Sequence, residues 1–163
     1  MRARGWLLLA GVGAVILAGF VGLRGLVFVL DGGGGSLTTD TASSVFPSDA
    51  AKVAFLRKYL KLPVPVETAE FKVVYHDNGF APSDWHIVAA LKLAPADVPR
   101  LTLGMTPSAD ALPDYSWGKP LTSNHARFRH SSTPKTFLRQ GCRVVAFEAE
   151  GVVFQKCTTL EAN

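Results

Sequence analysis

The chain has 163 residues, enough for one domain with a substantial core once an apolar N-terminal segment is set aside. It carries 17 Lys and Arg against 13 Asp and Glu. Because Arg2, Arg4, Arg24 and Asp31 come first, residues 32–163 hold 14 basic against 12 acidic residues, a net charge of +2. This near-neutral balance argues against a domain built mainly to bind nucleic acid.

An apolar segment near the N-terminus predicts a membrane anchor. Residues 6–30 are apolar except for Arg24, and about 20 apolar residues in a helix cross the hydrocarbon core of a bilayer. We therefore expect residues 1–30 to form an uncleaved, single-pass transmembrane anchor in the lipid bilayer. Because Arg2 and Arg4 flank its start, the positive-inside rule places the N-terminus in the cytoplasm and the C-terminal domain on the extracytoplasmic side.

This segment leaves alternatives open. A span that ends at Leu23 puts Arg24 at the outer interface, whereas a span that ends at Leu30 requires Arg24 to snorkel or to face a partner. A cleaved signal peptide shares the basic start and apolar core, although this stretch exceeds the usual apolar region of about 7–15 residues and no A-x-A site follows it. Small residues at every fourth position let two membrane helices approach closely, which predicts a homodimer through Ala10, Ala14, Ala18 and Gly22.

A linker and a helix are predicted next. Residues 31–45 are rich in Gly, Ser and Thr, a composition typical of a flexible linker. The folded domain is then expected over residues 46–163. A helix over residues 48–61 opens it, because Ser48 is a suitable N-cap, the apolar residues follow a helical period, and Pro63 ends the run.

Two strands are predicted over residues 70–76 and 86–93, where apolar and polar residues alternate. If positions whose numbers sum to 162 are paired in antiparallel fashion, every apolar position finds an apolar partner. The same register adds an opposite-charge pair between Glu70 and Lys92. We therefore expect a hairpin with this pairing.

The predicted register also suggests a metal site. It sets His76 opposite His86, with Asp77 and Asp84 flanking the connecting loop. Two imidazoles and a carboxylate are ligands that zinc accepts. The alternative is that His76 and His86 are solvated histidines at the ends of a loop whose Asp residues serve the turn.

The middle of the chain is expected to be short or irregular in structure. We predict a helical turn over residues 94–101, an irregular loop over residues 104–124 and a short strand over residues 126–130. The loop carries Tyr115 and Trp117, an aromatic pair that either anchors a partner or pins the loop to the core.

Basic residues run from Lys119 to Arg143 without any acidic residue among them. Anionic lipid headgroups, an acidic envelope polymer or an acidic protein would be attracted to such a stretch. The alternative is a solvated face balanced by acidic residues elsewhere. We predict a contact surface made of Arg127, Arg129, Lys135, Arg139, Trp117 and Tyr115.

A second hairpin is predicted at the end of the chain, with strands over residues 140–148 and 152–158. Its register depends on a turn for which two positions are compatible with the sequence. In the first register Cys142 faces Cys157, and a disulfide is within reach. In the second register Cys142 faces Thr159 and both thiols stay free. An extracytoplasmic location favours the disulfide.

Together these elements predict an α+β domain in which one or two helices pack on a small antiparallel sheet. The sequence has no nucleotide-binding loop, serine-hydrolase elbow or zinc-protease motif, so no catalytic residue and no cofactor is assigned. We expect a membrane-anchored binding or accessory module of a bacterial-like envelope, whose partner is a protein or an anionic envelope polymer. A zinc-dependent hydrolase that uses His76 and His86, and a membrane-tethered inhibitor or immunity-type protein, are the alternatives.

Overall fold

The computed structural model describes residues 37–77, 83–109 and 113–159. Across these residues seven antiparallel strands form one sheet in the order β1-β2-β3-β7-β6-β5-β4. The strands are β1 Leu37–Ala42, β2 Thr68–Asp77, β3 Asp84–Lys92, β4 Thr106–Pro107, β5 Lys135–Arg139, β6 Cys142–Phe147 and β7 Val152–Thr158. The predicted antiparallel sheet is confirmed, and it is wider than the two predicted hairpins.

Short helices accompany the sheet in the described part of the chain: α1 Asp49–Leu56, α2 Val98–Leu101 and α3 Lys119–Thr122. The predicted N-cap of α1 is confirmed, because Oγ of Ser48 accepts a hydrogen bond from the backbone N–H of Ala51 at 3.2 Å. The helix ends at Leu56, earlier than predicted. The amides of Lys58 and Tyr59 bond to carbonyls only three residues back, which tightens the chain into turns.

The predicted membrane anchor, residues 1–30, lies outside the described residues. The small-residue stripe from which a homodimer is predicted lies there too. Among the residues that are described, no helix combines the length and the apolar character that a bilayer span needs.

Strand β1 corrects the predicted linker. Residues 37–42 fall in the segment assigned to the linker, yet they pair with β2, with Thr39 opposite Tyr75 and Thr41 opposite Val73. The β-branched threonines favour a strand. The neighbouring glycines give the segment as a whole the composition of a flexible linker. The sheet therefore includes residues that precede the predicted domain boundary at residue 46.

The first predicted hairpin is present, but its predicted register is wrong by two residues. Strands β2 and β3 pair positions whose numbers sum to 160, so that Glu70 faces Ala90 and not Lys92. A shift of two residues leaves the alternation of faces unchanged, which is why apolar pairing alone did not distinguish the registers. In the observed register β3 begins at Asp84, and Trp85 lies opposite Tyr75.

The second predicted hairpin is confirmed together with the disulfide. Cys142 on β6 lies directly opposite Cys157 on β7, their Cα atoms are 4.1 Å apart, and the two residues are joined by a disulfide bond. A four-residue turn over residues 148–151 fixes this register. Gly151 ends the turn at φ +64°, and a Cβ there would collide with the carbonyl oxygen of Leu93.

The strand predicted over residues 126–130 is wrong. The backbone forms a 3-10 turn, Ala126–Phe128, on one face of the sheet. Phe128 is buried there in a cluster with Phe154. Packing against the face of the sheet therefore stabilises this segment without backbone pairing to a neighbouring strand. A strand that was not predicted, β5, fills the sheet position next to β6 instead.

The two faces of the sheet carry cores of different size. On the first face, α1 and α2 bury Leu56 and Val98 against the larger core. The second face carries a smaller core of Ala90, Phe128, Val145, Phe147, Val152 and Phe154. Residues 113–130 cross this second core and are called the strap. Tyr115 and Trp117 pack inward from the strap, which leaves the other half of the second face open.

Candidate functional site

The strap and α1 enclose a cleft of about 450 Å³ at one side of the second face. Helix α1 and strand β2 contribute Asp49, Lys52, Thr68 and Glu70, and residues 124–128 of the strap form the opposite wall. We call this the Glu70 cleft. It brings together charged side chains from three separate segments of the chain.

Glu70 forms the floor of the cleft and is buried, with 7% of the residue exposed. Nζ of Lys52 lies 2.6 Å from its Oε1, and Oγ of Ser43 donates a hydrogen bond to its Oε2 at 2.5 Å. A buried carboxylate requires such partners, because its desolvation is costly. These two contacts hold the carboxylate in one orientation.

Asp49 lies at the mouth of the same cleft in the first turn of α1. The hydroxyl of Thr68 donates to its Oδ1 at 2.8 Å, and Nη1 of Arg127 lies 2.7 Å from its Oδ2. The Thr68 hydrogen bond, aided by Arg127 and Lys52, lowers the pKa of Asp49 below its usual value. The Asp49–Arg127 ion pair joins the strap to the helix across the cleft.

His125 stands between these two charge pairs. Its Nδ1 lies 3.8 Å from Oε1 of Glu70, beyond hydrogen-bond length, and its side chain is 47% exposed. Lys52 and Arg127 are each engaged with an acid. This arrangement of compensated charges suits the recognition of a polar or charged ligand better than proton transfer between adjacent groups.

A second cleft, of about 530 Å³, continues along residues 122–130 and shares His125 with the first. Arg129 and His130 line it. His130 is held in place, since its Nδ1 lies 2.8 Å from the carbonyl oxygen of Phe128 and its Nε2 lies 3.2 Å from the hydroxyl of Tyr115. The second cleft therefore has one fixed imidazole and one exposed guanidinium.

The structure divides the predicted contact surface into three parts. Arg127 and Arg129 lie at the two clefts. Lys135 lies on β5, where it pairs with Glu148 at 2.6 Å, and Arg139 ends the same strand.

The aromatic pair forms the third part. The ring of Tyr115 lies 5.2 Å from that of Phe147, and the ring of Trp117 lies 6.4 Å from that of Phe154. These contacts pin the strap to the second core, as one of the two sequence interpretations expects.

The predicted pairing of the histidines is not observed. His76 lies opposite Asp84 and His86 lies opposite Val74, so the two imidazoles share a face but not a rung of the ladder. Oγ1 of Thr38 lies 2.9 Å from Nδ1 of His76. Within the described ranges, no three His, Cys, Asp or Glu side chains come close enough to hold a metal ion.

Sequence reasoning missed Glu70, Lys52 and Asp49 as site residues. The alternation within the strand pairs Glu70 with Lys92, whereas its actual partner, Lys52, lies on the preceding helix. One signal was available, since Glu70 lies between the apolar residues Ala69 and Phe71. An acidic residue between apolar residues in a strand is expected to be buried, and a buried acid requires a basic partner.

Comparison with known proteins gives no match, since no protein family, curated protein or solved structure is detectably similar to the chain. Function is therefore argued from the geometry and charge of the described residues.

Proposed function

We propose that this chain is an extracytoplasmic binding module that residues 1–30 tether to the membrane. The module contacts an acidic partner at the two clefts, on the side where Arg129 lies. The disulfide Cys142–Cys157 indicates an oxidising, extracytoplasmic compartment. A tethered module in that compartment meets envelope proteins and polymers, and its partner is one of those that carry negative charge.

One observation carries the proposal: Arg129 is exposed beside a cleft and has no acidic partner among the described residues. Three other basic residues of the same stretch are engaged. Arg127 pairs with Asp49, Lys135 pairs with Glu148, and Lys119 lies 5.0 Å above the ring of Tyr115. A guanidinium that is left available at a cleft matches a carboxylate or phosphate in planar, bidentate geometry.

The contacts of the Glu70 cleft support binding over catalysis. Lys52 and Ser43 both engage Glu70, so the carboxylate is committed to structure. Asp49 accepts from Thr68 and Arg127. A ligand with one acidic group gains affinity by pairing with Arg129, or by displacing Asp49 from Arg127. The displacement costs little, because an exposed ion pair is worth only about 0–1 kcal/mol.

The test places a photo-crosslinking amino acid at Ser123, an exposed strap residue that lines the second cleft. The full chain is irradiated in native membranes with and without Arg129→Glu. We expect an adduct with an acidic protein or an acidic polymer, and we expect Arg129→Glu to abolish it. Lys58→Glu, at an exposed position just beyond the end of α1, is the matched control and leaves the adduct intact.

Two outcomes contradict the proposal. The first is an adduct with lipid alone, which would indicate that the strap faces the bilayer. The second is an adduct whose yield is the same with Arg129→Glu as with Lys58→Glu, which would show that the guanidinium makes no contribution.

A further inference from the structure

The open half of the second face carries three cations in one row across the sheet. Lys72 on β2 lies opposite Val88 on β3, Val88 lies opposite Lys156 on β7, and Lys156 lies opposite Arg143 on β6. Lys72, Lys156 and Arg143 are called the basic row. Because neighbouring strands lie about 4.8 Å apart, the row is roughly 14 Å long.

The pairing of Arg143 with Lys156 has a cost. Like charges placed directly opposite each other on adjacent strands destabilise a sheet. The next rung of the same ladder is the disulfide Cys142–Cys157, which fixes the register. The two strands therefore cannot slip to separate the cations, and a negatively charged ligand would relieve the repulsion.

Two acidic residues of the described ranges lie near the two ends of the row. Asp40 pairs with Lys72 at 2.7 Å, and both side chains are about half exposed. Asp114 on the strap lies close enough to Arg143 for their charges to interact. Lys156 is exposed in the middle of the row and has no acidic partner among the described residues. The row therefore retains positive charge at its centre.

An aromatic wall stands beside the row. Trp117 packs edge-on against Phe154, which precedes Lys156 by two residues on the same face of β7. Trp117 remains partly exposed. The strap thus forms a step along the open half of the face. A step obstructs a flat bilayer, but it accommodates a linear polymer that lies along the row.

We propose that the basic row and Trp117 bind a linear acidic polysaccharide. Carboxylates of successive sugar units would pair with Arg143 and Lys156, since a guanidinium engages a carboxylate through two parallel hydrogen bonds. The apolar face of a sugar ring would rest on the indole of Trp117, which offers an apolar body and a polar edge. This surface is separate from the Arg129 side of the clefts, so either proposal can fail alone.

The test measures binding of the full chain, in neutral detergent, to polygalacturonate as the acidic polysaccharide. Dextran serves as the uncharged polymer and polyphosphate as an anion without sugar. We expect Lys156→Gln and Arg143→Gln each to lower polygalacturonate affinity about tenfold, the loss of one charge-assisted contact. Trp117→Phe should weaken polygalacturonate binding more than polyphosphate binding. Lys61→Gln, an exposed charge elsewhere, should leave both affinities within about twofold.

Thermal unfolding of each variant with the disulfide intact separates loss of binding from loss of fold. The proposal is overturned if polygalacturonate binds no better than dextran, or if Lys156→Gln folds and binds like the parent. It is also overturned if polyphosphate binds as tightly as polygalacturonate and Trp117→Phe changes neither, because the surface would then attract any anion.

Discussion

Nζ of Lys52 lies 2.6 Å from Oε1 of Glu70, and this ion pair fastens α1 to the buried end of β2. The two side chains are 14% and 9% exposed. A buried pair is costly to form, but removal of one partner alone is costlier, because it leaves an uncompensated charge. The pair therefore fixes the floor of the Glu70 cleft and the position of the helix beside it.

We predict that Lys52→Met lowers the free energy of unfolding by about 3 kcal/mol, because Glu70 stays buried without its cation. Urea titration of the full chain with the disulfide intact measures this loss. Adding Glu70→Gln to Lys52→Met should recover part of it, since the carboxylate is then neutral. Lys58→Met, at an exposed site just beyond the end of α1, should change stability by less than about 0.5 kcal/mol. Equal losses for the two lysines would contradict the prediction.

Local signals in the sequence were sufficient for several elements. The period of two predicted both hairpins, and Ser48 predicted the start of α1. The disulfide followed once the first of two turn positions was assumed. Each of these depends on residues that are close together along the chain, where propensity and alternation are informative.

Other features were not predictable from local signals. The register of β2 and β3 is ambiguous by two residues, because that shift leaves every side chain on its face. The Glu70 cleft joins residues that are 18 positions apart in Lys52–Glu70 and 78 apart in Asp49–Arg127. Such contacts depend on how α1 and the strap pack on the sheet, which the spacing of residues along the chain does not specify.

Glu150 is expected to make stability depend on pH in the acid range. Its carboxylate accepts hydrogen bonds from the hydroxyl of Ser132 and from the backbone amides of Ser131 and Ser132. These bonds lower the pKa of Glu150 from 4.5 to about 2. A lowered pKa in the folded state stabilises the fold above pH 4.5, and that contribution is lost as the pH falls from 4.5 to about 2.

The measurement compares the unfolding free energies of the parent and Glu150→Gln across this range. We predict a constant difference above pH 5 that closes toward pH 2, in agreement with the linkage between protonation and folding. Ser132→Ala, which removes the hydroxyl donor to Glu150, should reduce the pH-dependent part of the difference. A difference that is independent of pH would contradict the role of these hydrogen bonds.

His76 and His86 give a direct test of the zinc-hydrolase alternative. Because the two histidines lie on different rungs, we predict that the purified full chain retains less than about one zinc per ten chains after dialysis, a level expected for adventitious binding. Elemental analysis measures the content, and His76→Ala should not change it. Stoichiometric zinc that disappears in His76→Ala but persists in His125→Ala would support the hydrolase instead.

Gly118 marks the point at which the strap presses on the second core. A Cβ at this position would collide with the ring of Phe154. We predict that Gly118→Ala lowers the free energy of unfolding by about 1–3 kcal/mol through overpacking, since the backbone conformation itself suits alanine. Tryptophan fluorescence should report displacement of Trp117, and Ser123→Ala on the exposed side of the strap should be silent. Unchanged stability and unchanged tryptophan fluorescence in Gly118→Ala would mean that the ring of Phe154 moves to accommodate the added methyl group.

The disulfide leads to one prediction about the stability of the domain and one about its location in the cell. It closes a loop with a sequence separation of 15 residues, for which the chain-entropy model gives about 3 kcal/mol. The double variant Cys142→Ser/Cys157→Ser should lose about that much, more than Lys61→Gln loses.

In intact cells, a membrane-impermeant thiol reagent should label the full chain only after reduction, because both thiols are otherwise bonded and the proposed function places the domain outside the cytoplasm. Labelling without reductant would show a free thiol on the outside. An absence of labelling even after reduction, with labelling restored in lysed cells, would place the domain in the cytoplasm and remove the basis of the proposed function.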